Sequence, residues 1–412
     1  MGAAAKLHND YLSDQVFSIT SNIIDIAKYL EPITLKYRRE FHSIPELGWE
    51  EEKTLALLET TLLKLINNSD LNFEVVHKTG GIWIDLTIDP ELPRVLFRSD
   101  IDGLPIEENT NLPYSSKHVG KMHACGHDCH IAMLLSAFQA IAEGYITPQI
   151  NLRFVWQRAE EYAQMRSGGE RLVEEGVCAN IKHAYGLHIS SIKEAGVFFS
   201  KPAAFLANTV LIKSEIECSG GHVMSPNLGS NAIDIMTNIL NTLRGFEKLV
   251  FDPEEPITFV PSIAKAGIGT NIRPNSAQMC FALRNFLPPS EKNRFIKAIR
   301  EKINTIIKGY PTANVSLFEV SEGYPVLVNQ PKNYTFVKNT LTQAGFQTEQ
   351  SNRVFAGEDF AYYLKEVPGS FWCLGAKQGA GWDHHTPKFN PDERYLWQGV
   401  AFWLHLSQFQ DL

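Results

Sequence analysis

The sequence predicts an α/β fold, built on a mixed and mostly parallel sheet and interrupted by an inserted α+β unit. Between residues 95 and 189, strand-like apolar runs alternate with helical patterns, which is the order typical of a parallel sheet. Between residues 206 and 319 the order changes to β-α-β-β-α-β, which is typical of a compact two-layer unit. The chain has 412 residues, 44% of them hydrophobic, so it is long enough for two domains.

The first half of the chain supplies two helices and then the strands of the predicted sheet. Apolar residues recur at helical spacing over residues 15–42, and the acidic residues from Glu50 to Glu52 open a second helix that runs to Leu65. The elements that follow are strands 73–76, 82–86 and 95–97, helix 128–143, strand 150–156, helix 168–176 and strand 183–189.

The second half contains the inserted unit and the return to the first one. The inserted elements are strand 206–216, helix 229–246, strands 257–268 and 276–286, helix 290–308 and strand 312–319. The return is marked by Pro325 and the turn at Asn329–Pro331, before a helix, a strand at 371–374 and a closing helix from Pro391. The predicted domains are therefore a catalytic domain in two parts, 1–204 and 322–412, and a satellite domain, 205–321.

Composition excludes several classes of protein. The net charge is −8 and no basic block occurs, which argues against a nucleic-acid partner. No apolar run reaches the roughly 20 residues that cross a bilayer, and Met1–Lys6 lacks the pattern of a signal peptide. We therefore expect a soluble cytoplasmic protein without a membrane partner. Six cysteines in this length do not indicate a disulfide framework.

Ionisable residues gather where the predicted strands end. Ligands of open α/β sheets bind beyond the carboxyl ends of the strands, and acidic residues are rarely buried without partners. The residues delivered to this edge by three strands and by the segment Met122–His130 are Asp100, Asp102, Glu160, Glu161, His188, Cys125 and His127. The sequence therefore predicts a functional site at the edge.

These side chains offer thiolate, imidazole and carboxylate ligands, a mixture that favours zinc or another first-row divalent ion. There are more candidates than one tetrahedral ion needs, which predicts two metal ions. Of the pair Glu160 and Glu161, one carboxylate can bind metal while the other acts as a general base. His384 and His385, in a loop after a strand, are either further ligands or ordinary surface residues.

The inserted unit carries polar residues of its own. His222 follows two glycines, which let a backbone pass close to a ligand, and it can donate to a developing oxyanion or be an ordinary loop residue. Asn271 and Arg284 interrupt strand-like runs. Arginine suits bidentate carboxylate binding, with a solvated strand face as the alternative.

Motifs spread over nearly the whole chain resemble one known family. They are Arg38–His42 with Pro45–Gly48, Arg98–Pro105, Met122–His130, Ala159–Glu161, Gly186–His188, Gly220–His222, Gly357–Phe360 and His385–Pro387. With them the sequence resembles the metal-dependent amidohydrolases that include hippurate hydrolase, N-acyl-amino-acid amidohydrolases and auxin-conjugate hydrolases, relatives of the aminoacylase and zinc carboxypeptidase superfamily. The resemblance implies a zinc-exopeptidase-like catalytic domain and a ferredoxin-like satellite domain.

The resemblance also implies a dinuclear site. The implied ligands of its two divalent ions are Cys125, His127, Glu161, His188 and His385, with Cys125 as a candidate bridge. Zinc and manganese are the expected metals, with cobalt and nickel as alternatives. Asp102 is expected to orient a ligand, and Asp128 to orient a ligand or to cap the helix that it begins.

The remaining implied roles concern catalysis and the substrate. Glu160 would be the general base that activates water and then passes the proton to the leaving amine, and His222 would stabilise the tetrahedral intermediate, often across a dimer. Asn271 and Arg284 would bind the substrate. The satellite domain would form a homodimer or a higher homo-oligomer.

We therefore expect hydrolysis of the amide bond of small-molecule N-acyl amino acids. The alternatives are a dipeptidase or carboxypeptidase with the same site, a metal-retaining binding protein without turnover, and a non-hydrolytic thiol sensor that uses Cys125 and Cys129. The sequence departs from the family at three positions. Arg158 stands where proline is usual, and Asn227 and Asn231 replace a common histidine and aspartate. These departures bear on substrate choice and loop shape.

Overall fold

Two β-sheets organise the chain, which the computed structural model describes for residues 23–162, 166–379 and 383–408. The strands are β1 Phe73–Lys78, β2 Gly81–Leu86, β3 Arg94–Asp100, β4 Asn151–Gln157, β5 Ile181–Glu194, β6 Phe198–Ser200, β7 Ala203–Leu206, β8 Asn208–Glu217, β9 Gly221–His222, β10 Thr258–Ala266, β11 Ile272–Arg273, β12 Ser276–Asn285, β13 Asn314–Glu322, β14 Leu327–Asn329, β15 Thr348–Gln350 and β16 Gly369–Lys377. The α-helices are α1 Ile23–Tyr29, α2 Glu31–His42, α3 Glu52–Asn67, α4 His127–Ala142, α5 Gly168–Glu174, α6 Ala232–Leu243, α7 Glu247–Val250, α8 Pro289–Ile307, α9 Pro331–Gln343, α10 Phe360–Glu366 and α11 Leu396–Leu406.

The larger sheet is mixed and largely parallel, as the sequence predicted. Its strand order is β1-β2-β4-β3-β5-β16-β6-β15, with a parallel block of β4, β3, β5 and β16 at its centre. Successive residues of a strand alternate between its two faces, so Val95 and Phe97 join one hydrophobic cluster and Leu96 joins the other. Burial on both faces explains why these strands are continuous apolar runs.

Helix α4 lies in the larger of these clusters and is buried along almost its whole length. A helix that is apolar on every side must be surrounded by protein, and α4 packs against α2, α11 and the sheet. Its first turn therefore holds His127 and Asp128 rigidly at the edge of the sheet.

None of the helices in the described part of the chain combines the length and the apolarity that crossing a membrane requires.

The second sheet has four antiparallel strands in the order β10-β12-β8-β13. Helices α6 and α8 pack on it around a separate hydrophobic cluster that includes Ile239 and Phe295. The chain enters and leaves this unit at one place, because Thr209 N–H donates to the Tyr324 carbonyl and Gly323 N–H donates to the Thr209 carbonyl. The domain boundaries at residues 205 and 321 stay predictions.

Several predicted elements differ from the structure at their ends. The helix expected over residues 15–42 is two helices within the described residues, broken at Leu30, because Pro32 cannot continue a preceding helix; residues 15–22 lie outside the described part. The helix expected from residue 229 begins at Ala232, where Asn231 accepts a hydrogen bond from the Ile233 N–H. The closing helix begins at Leu396 instead of Pro391.

Candidate metal centre

Five predicted ligands converge at the edge of the larger sheet. Their ligand atoms form two groups of three, Cys125 with His127 and His188, and Cys125 with Glu161 and His385. Within each group the atoms lie within 4.8 Å of one another. Cys125 belongs to both groups, so the side chains are arranged as two ligand sets that share one sulfur.

His127 presents a free ring nitrogen to this cluster. The ring is fully buried, and its Nδ1 lies 3.0 Å from Asp102 Oδ1. When the ring is neutral and its Nδ1–H is donated to Asp102, Nε2 carries the lone pair that a metal ion needs, and this atom has no hydrogen-bond partner among the described residues. Burial opposes protonation of the ring, but Asp100 and Asp102 raise the pKa of His127 to about 10. Without metal the ring therefore favours its protonated form, and a metal ion bound at Nε2 would displace that proton.

Cys125 and His188 complete the first group. The Cys125 Sγ lies 3.5 Å from His188 Nε2. Gly126 follows at φ 92°, and a side chain there would collide with Ile189, so this turn requires glycine. Burial and the neighbouring Glu161 raise the pKa of the Cys125 thiol, so metal binding would release its proton. The strand that was expected to end at residue 189 continues to Glu194 alongside β16, so His188 lies within β5 and not at its end.

The structure separates the two adjacent histidines. His385, at φ 61°, donates its backbone N–H to the Ala124 carbonyl and places Nε2 3.2 Å from Glu161 Oε1. The Nε2 of His384 instead accepts the Ser191 N–H, and its ring stacks on Phe389. Only His385 therefore joins the ligand cluster, while His384 anchors the loop.

The loop after β4 carries the two glutamates. Ala159 has φ 49°, an unfavourable conformation for alanine that turns the chain sharply at the end of the strand. The Glu161 N–H donates to Asp102 Oδ2, so Asp102 fixes both this loop and His127. Burial and the carboxylates of Glu358 and Glu161 raise the pKa of Glu160 well above its ordinary value. A raised pKa suits a group that must take up a proton near neutral pH.

A buried polar network beneath the cluster was not assigned a role from the sequence. Arg98 donates to Asp100 and Asp359, and Asp100 Oδ1 lies 2.6 Å from His130 Nδ1. His130 Nε2 in turn accepts the Ile189 N–H, which fixes the backbone next to His188. The motifs around Arg98 and Asp359 contain these charged residues. The residues that contact one another lie far apart in the sequence, however, so the network could not be predicted.

Asp128 has different contacts from those expected. Its Oδ2 lies 2.8 Å from His42 Nδ1 and accepts from Arg38 Nε at 3.0 Å, and helix α4 has no side-chain cap. Asp128 is therefore tied to helix α2, because the buried Arg38 needs a carboxylate partner. This explains why the Arg38–His42 motif accompanies the ligand segment.

The predicted residues of the inserted unit lie in two places. His222 is exposed and pairs across β9 and β11 with Ile272, and it lines a cavity of about 450 Å³ together with Asn271. Neither is brought to the ligand cluster by any recorded contact of the described residues. Arg284 is half-buried, and Tyr324 lies within electrostatic range of it. The Tyr324 hydroxyl donates to the Glu160 carbonyl.

The thiol pair of the sensor hypothesis is poorly placed for redox chemistry. Cys129 is fully buried on α4, and burial raises the pKa of its thiol well above the ordinary value. Reactive cysteines have low pKa values and are accessible. We therefore set the sensor hypothesis aside.

Comparisons with known proteins match one family model and several relatives along most of the chain. The family model described as peptidase family M20/M25/M40 matches residues 96–408. Thermostable carboxypeptidase 1 of Saccharolobus solfataricus is 31% identical over 382 residues, covering 91% of this chain and 94% of the relative. N-acetyl-L-cysteine deacetylase of Bacillus subtilis is 31% identical, covering 96% of this chain and 91% of the relative.

Two further comparisons extend the range of relatives and the fold. An IAA-amino acid hydrolase, ILR1-like 5, of Arabidopsis thaliana is 28% identical, covering 93% of this chain and 87% of the relative. The crystal structure of Bacillus subtilis YXEP, described as a dinuclear metal binding peptidase from the M20 family, superimposes with a TM-score of 0.76 at 24% identity, covering 92% of this chain and 98% of that one.

Proposed function

Because the chain belongs to peptidase family M20/M25/M40, we propose that it hydrolyses the amide bond of N-acyl amino acids with the help of two divalent metal ions. The observation that carries the proposal is the pair of ligand sets that share Cys125, with Glu160 beside them. Relatives named for deacetylation of N-acetyl-L-cysteine and for hydrolysis of IAA-amino acids support this substrate class.

The donor set fits divalent metal. It combines one thiol, three imidazoles and one carboxylate, and it leaves His127 Nε2 buried without another partner. Soft and borderline ligands of this kind suit zinc, and manganese, cobalt or nickel are the alternatives. Divalent ions here would supply Lewis acidity, polarising the amide carbonyl and making water more acidic. Asp102 holds His127 and Glu161 for this purpose.

Glu160 is the group that moves the proton. Its carboxyl is buried beside Glu161 and within 4.8 Å of His127, and it is not needed as a ligand in either set. It takes a proton from the attacking water and delivers it to the nitrogen of the leaving amine. Burial and the neighbouring carboxylates raise the pKa of Glu160, which favours its uptake of a proton from water.

The substrate carboxylate is assigned to Arg284. Among the described residues its guanidinium has no ion-pair partner, and Tyr324, whose charge would influence it, donates its hydroxyl to the Glu160 carbonyl. A planar guanidinium binds a carboxylate through two parallel hydrogen bonds. His222 and Asn271 complete the substrate site in the proposal, and their exposure suits a role shared with a second copy of the chain.

The test is the variant Glu160→Gln, which keeps the size of the side chain but cannot accept a proton. We expect it to retain wild-type metal content and to lose at least about 100-fold in kcat toward N-acetyl amino acids. Glu291→Gln, an exposed glutamate of α8, is the matched control and should keep full activity. A Glu160→Gln protein with wild-type turnover would refute the mechanism.

A second candidate is a carboxypeptidase or dipeptidase, which the similarity to the Saccharolobus carboxypeptidases favours. The two candidates share the metal chemistry and release the same kind of product from the nitrogen side, an amino acid with a free carboxylate. They differ in the acyl group, which is a simple acyl group for the deacylase and an aminoacyl or peptidyl group for the peptidase. Parallel kcat/KM measurements on N-acetyl amino acids, hippurate, dipeptides and N-blocked peptides separate them. Higher kcat/KM for peptides than for N-acetyl amino acids would assign the carboxypeptidase or dipeptidase activity.

A further inference from the structure

One buried carboxylate forms hydrogen bonds to the start of the loop that carries Glu160 and Glu161. Glu51, at the start of α3, is fully buried, and its Oε1 accepts the Ala159 N–H at 2.7 Å. Its Oε2 accepts from Arg158 Nε at 2.8 Å. We call the Glu51–Arg158 pair the brace. Through its two oxygens, Glu51 is bonded to both residues that immediately precede Glu160.

The brace acts on a backbone that would not adopt its conformation unaided. Ala159 has φ 49°, a region that residues with a Cβ atom avoid. Strained backbone persists where the surrounding structure imposes it, and it occurs most often at functional sites. The Ala159 N–H is tied to Glu51 and its carbonyl accepts the Gly168 N–H, so both sides of the strained residue are fixed.

The segment that carries the brace also touches the other loop of the site. Gly48 is packed so closely on Ala159 and the Tyr162 ring that a side chain there would collide with both. The Gly103 N–H donates to the Glu46 carbonyl at 2.7 Å, one residue after Asp102. Residues 46–51 therefore connect the Asp102 loop with the Glu160 loop. This gives the Pro45–Gly48 motif a physical role.

An ordinary structural ion pair is the alternative explanation, and the same strand offers one for comparison. At the opposite end of β4, Arg153 makes two hydrogen bonds to Asp85, of 2.7 and 2.6 Å. Arg153 lies over the Trp83 ring as Arg158 lies over the Trp49 ring. Both pairs join an arginine to a largely buried carboxylate, but only Arg158 is next to the glutamate loop.

We propose that Glu51 and Arg158 are positioning residues, which hold the Glu160 carboxylate and the Glu161 ligand in register with His127. The proposal rests on the proposed function, since it concerns the same metal site and the same base. It also assigns a role to Arg158, the position where this chain departs from the proline usual in its family. The Arg158 N–H donates to the Gly80 carbonyl, a bond that proline cannot make.

The test compares two brace variants with two control variants in the full-length protein. The brace variants are Glu51→Gln and Arg158→Met, and the controls are Asp85→Asn and Arg153→Met. Each protein is measured for the melting temperature without metal, the dissociation constant for Zn²⁺ by chelator competition, and kcat and KM. Arg158→Lys is added, because it keeps the charge and should recover part of any loss.

We expect the brace variants to bind Zn²⁺ about 10-fold more weakly and to lose about 10-fold in kcat, with KM within twofold of wild type. The controls should lower the melting temperature but leave the Zn²⁺ affinity and kcat within twofold. Brace variants that behave as the controls do would overturn the inference. A wild-type protein that binds no metal and hydrolyses no amide would instead overturn the proposed function itself, so the two failures are distinguishable.

Discussion

Replacement of Asp102 by asparagine tests how the site holds its ligands. The carboxylate uses one oxygen for each of two donors, His127 Nδ1 at 3.0 Å and the Glu161 N–H at 2.9 Å. Asparagine has a single acceptor oxygen, so it can satisfy one donor and must turn its amide group toward the other. Asp102→Asn therefore loses one buried hydrogen bond to an ionised group.

Such a bond contributes about 1.5–3 kcal/mol, which corresponds to a roughly 10- to 150-fold change in an equilibrium constant. Loss of a carboxylate that orients a metal-binding histidine independently suggests about 10- to 100-fold. The two ranges overlap at about 10- to 100-fold, and we expect Asp102→Asn to bind Zn²⁺ more weakly than wild type by that factor. The assay is chelator competition on the metal-free protein, with Asp85→Asn as the buried-aspartate control. An Asp102→Asn protein with the affinity of wild type would refute the assigned role of Asp102.

The other predictions concern acid stability and substrate binding. Burial tends to raise the pKa of Glu108. Hydrogen bonds from His42, Thr110 and the Ser116 N–H outweigh this effect and lower the pKa to about 2. The ionised carboxylate therefore stabilises the fold above its unfolded pKa of about 4.3, and this contribution disappears as the pH falls toward 2. The difference in melting temperature between wild type and Glu108→Gln should be largest above that pH and shrink below it; a constant difference would contradict the assignment. Arg284→Lys should raise KM for N-acetyl amino acids about 10-fold with little change in kcat, because lysine cannot make the bidentate contact; an unchanged KM would remove Arg284 from the substrate site. His222→Ala should lose at least about 100-fold in kcat, and mixing it with Glu160→Gln should restore activity if His222 acts on a partner's site; no loss in kcat would exclude His222 from catalysis.

Much of the candidate site could be predicted from the sequence because polar residues follow apolar strands directly. Asp102 follows β3 and Glu161 follows β4, and parallel strands bring their carboxyl ends to one edge. The central sheet was predictable for the same reason, since strands buried on both faces are continuous apolar runs. The ligand segment was predictable because thiol and imidazole groups are concentrated at the start of the buried helix α4 and just before it.

The contacts that hold the site in place could not be predicted, because they join residues far apart in the chain. Arg98 and Asp359 meet across 261 positions, and Glu51 and Arg158 across 107. No local periodicity records such a pairing. The residue types alone could not separate His384 from His385, and only the family resemblance pointed to His385. Their roles depend on the positive φ of His385, which the residue type does not specify.

The single junction at Thr209, Gly323 and Tyr324 has a consequence for how the protein could be re-engineered and how it could have diversified. Because the chain departs and returns between hydrogen-bonded neighbours, the ends of the intervening segment are already close together. Loop-closure entropy then changes little with the length of what is inserted there. A short turn, or an unrelated module with adjacent termini, could replace the segment while the eight-stranded sheet and its ligand cluster keep their own hydrophobic support. The junction therefore allows the unit that carries His222 and Arg284 to be exchanged while the five ligand residues of the cluster stay in place.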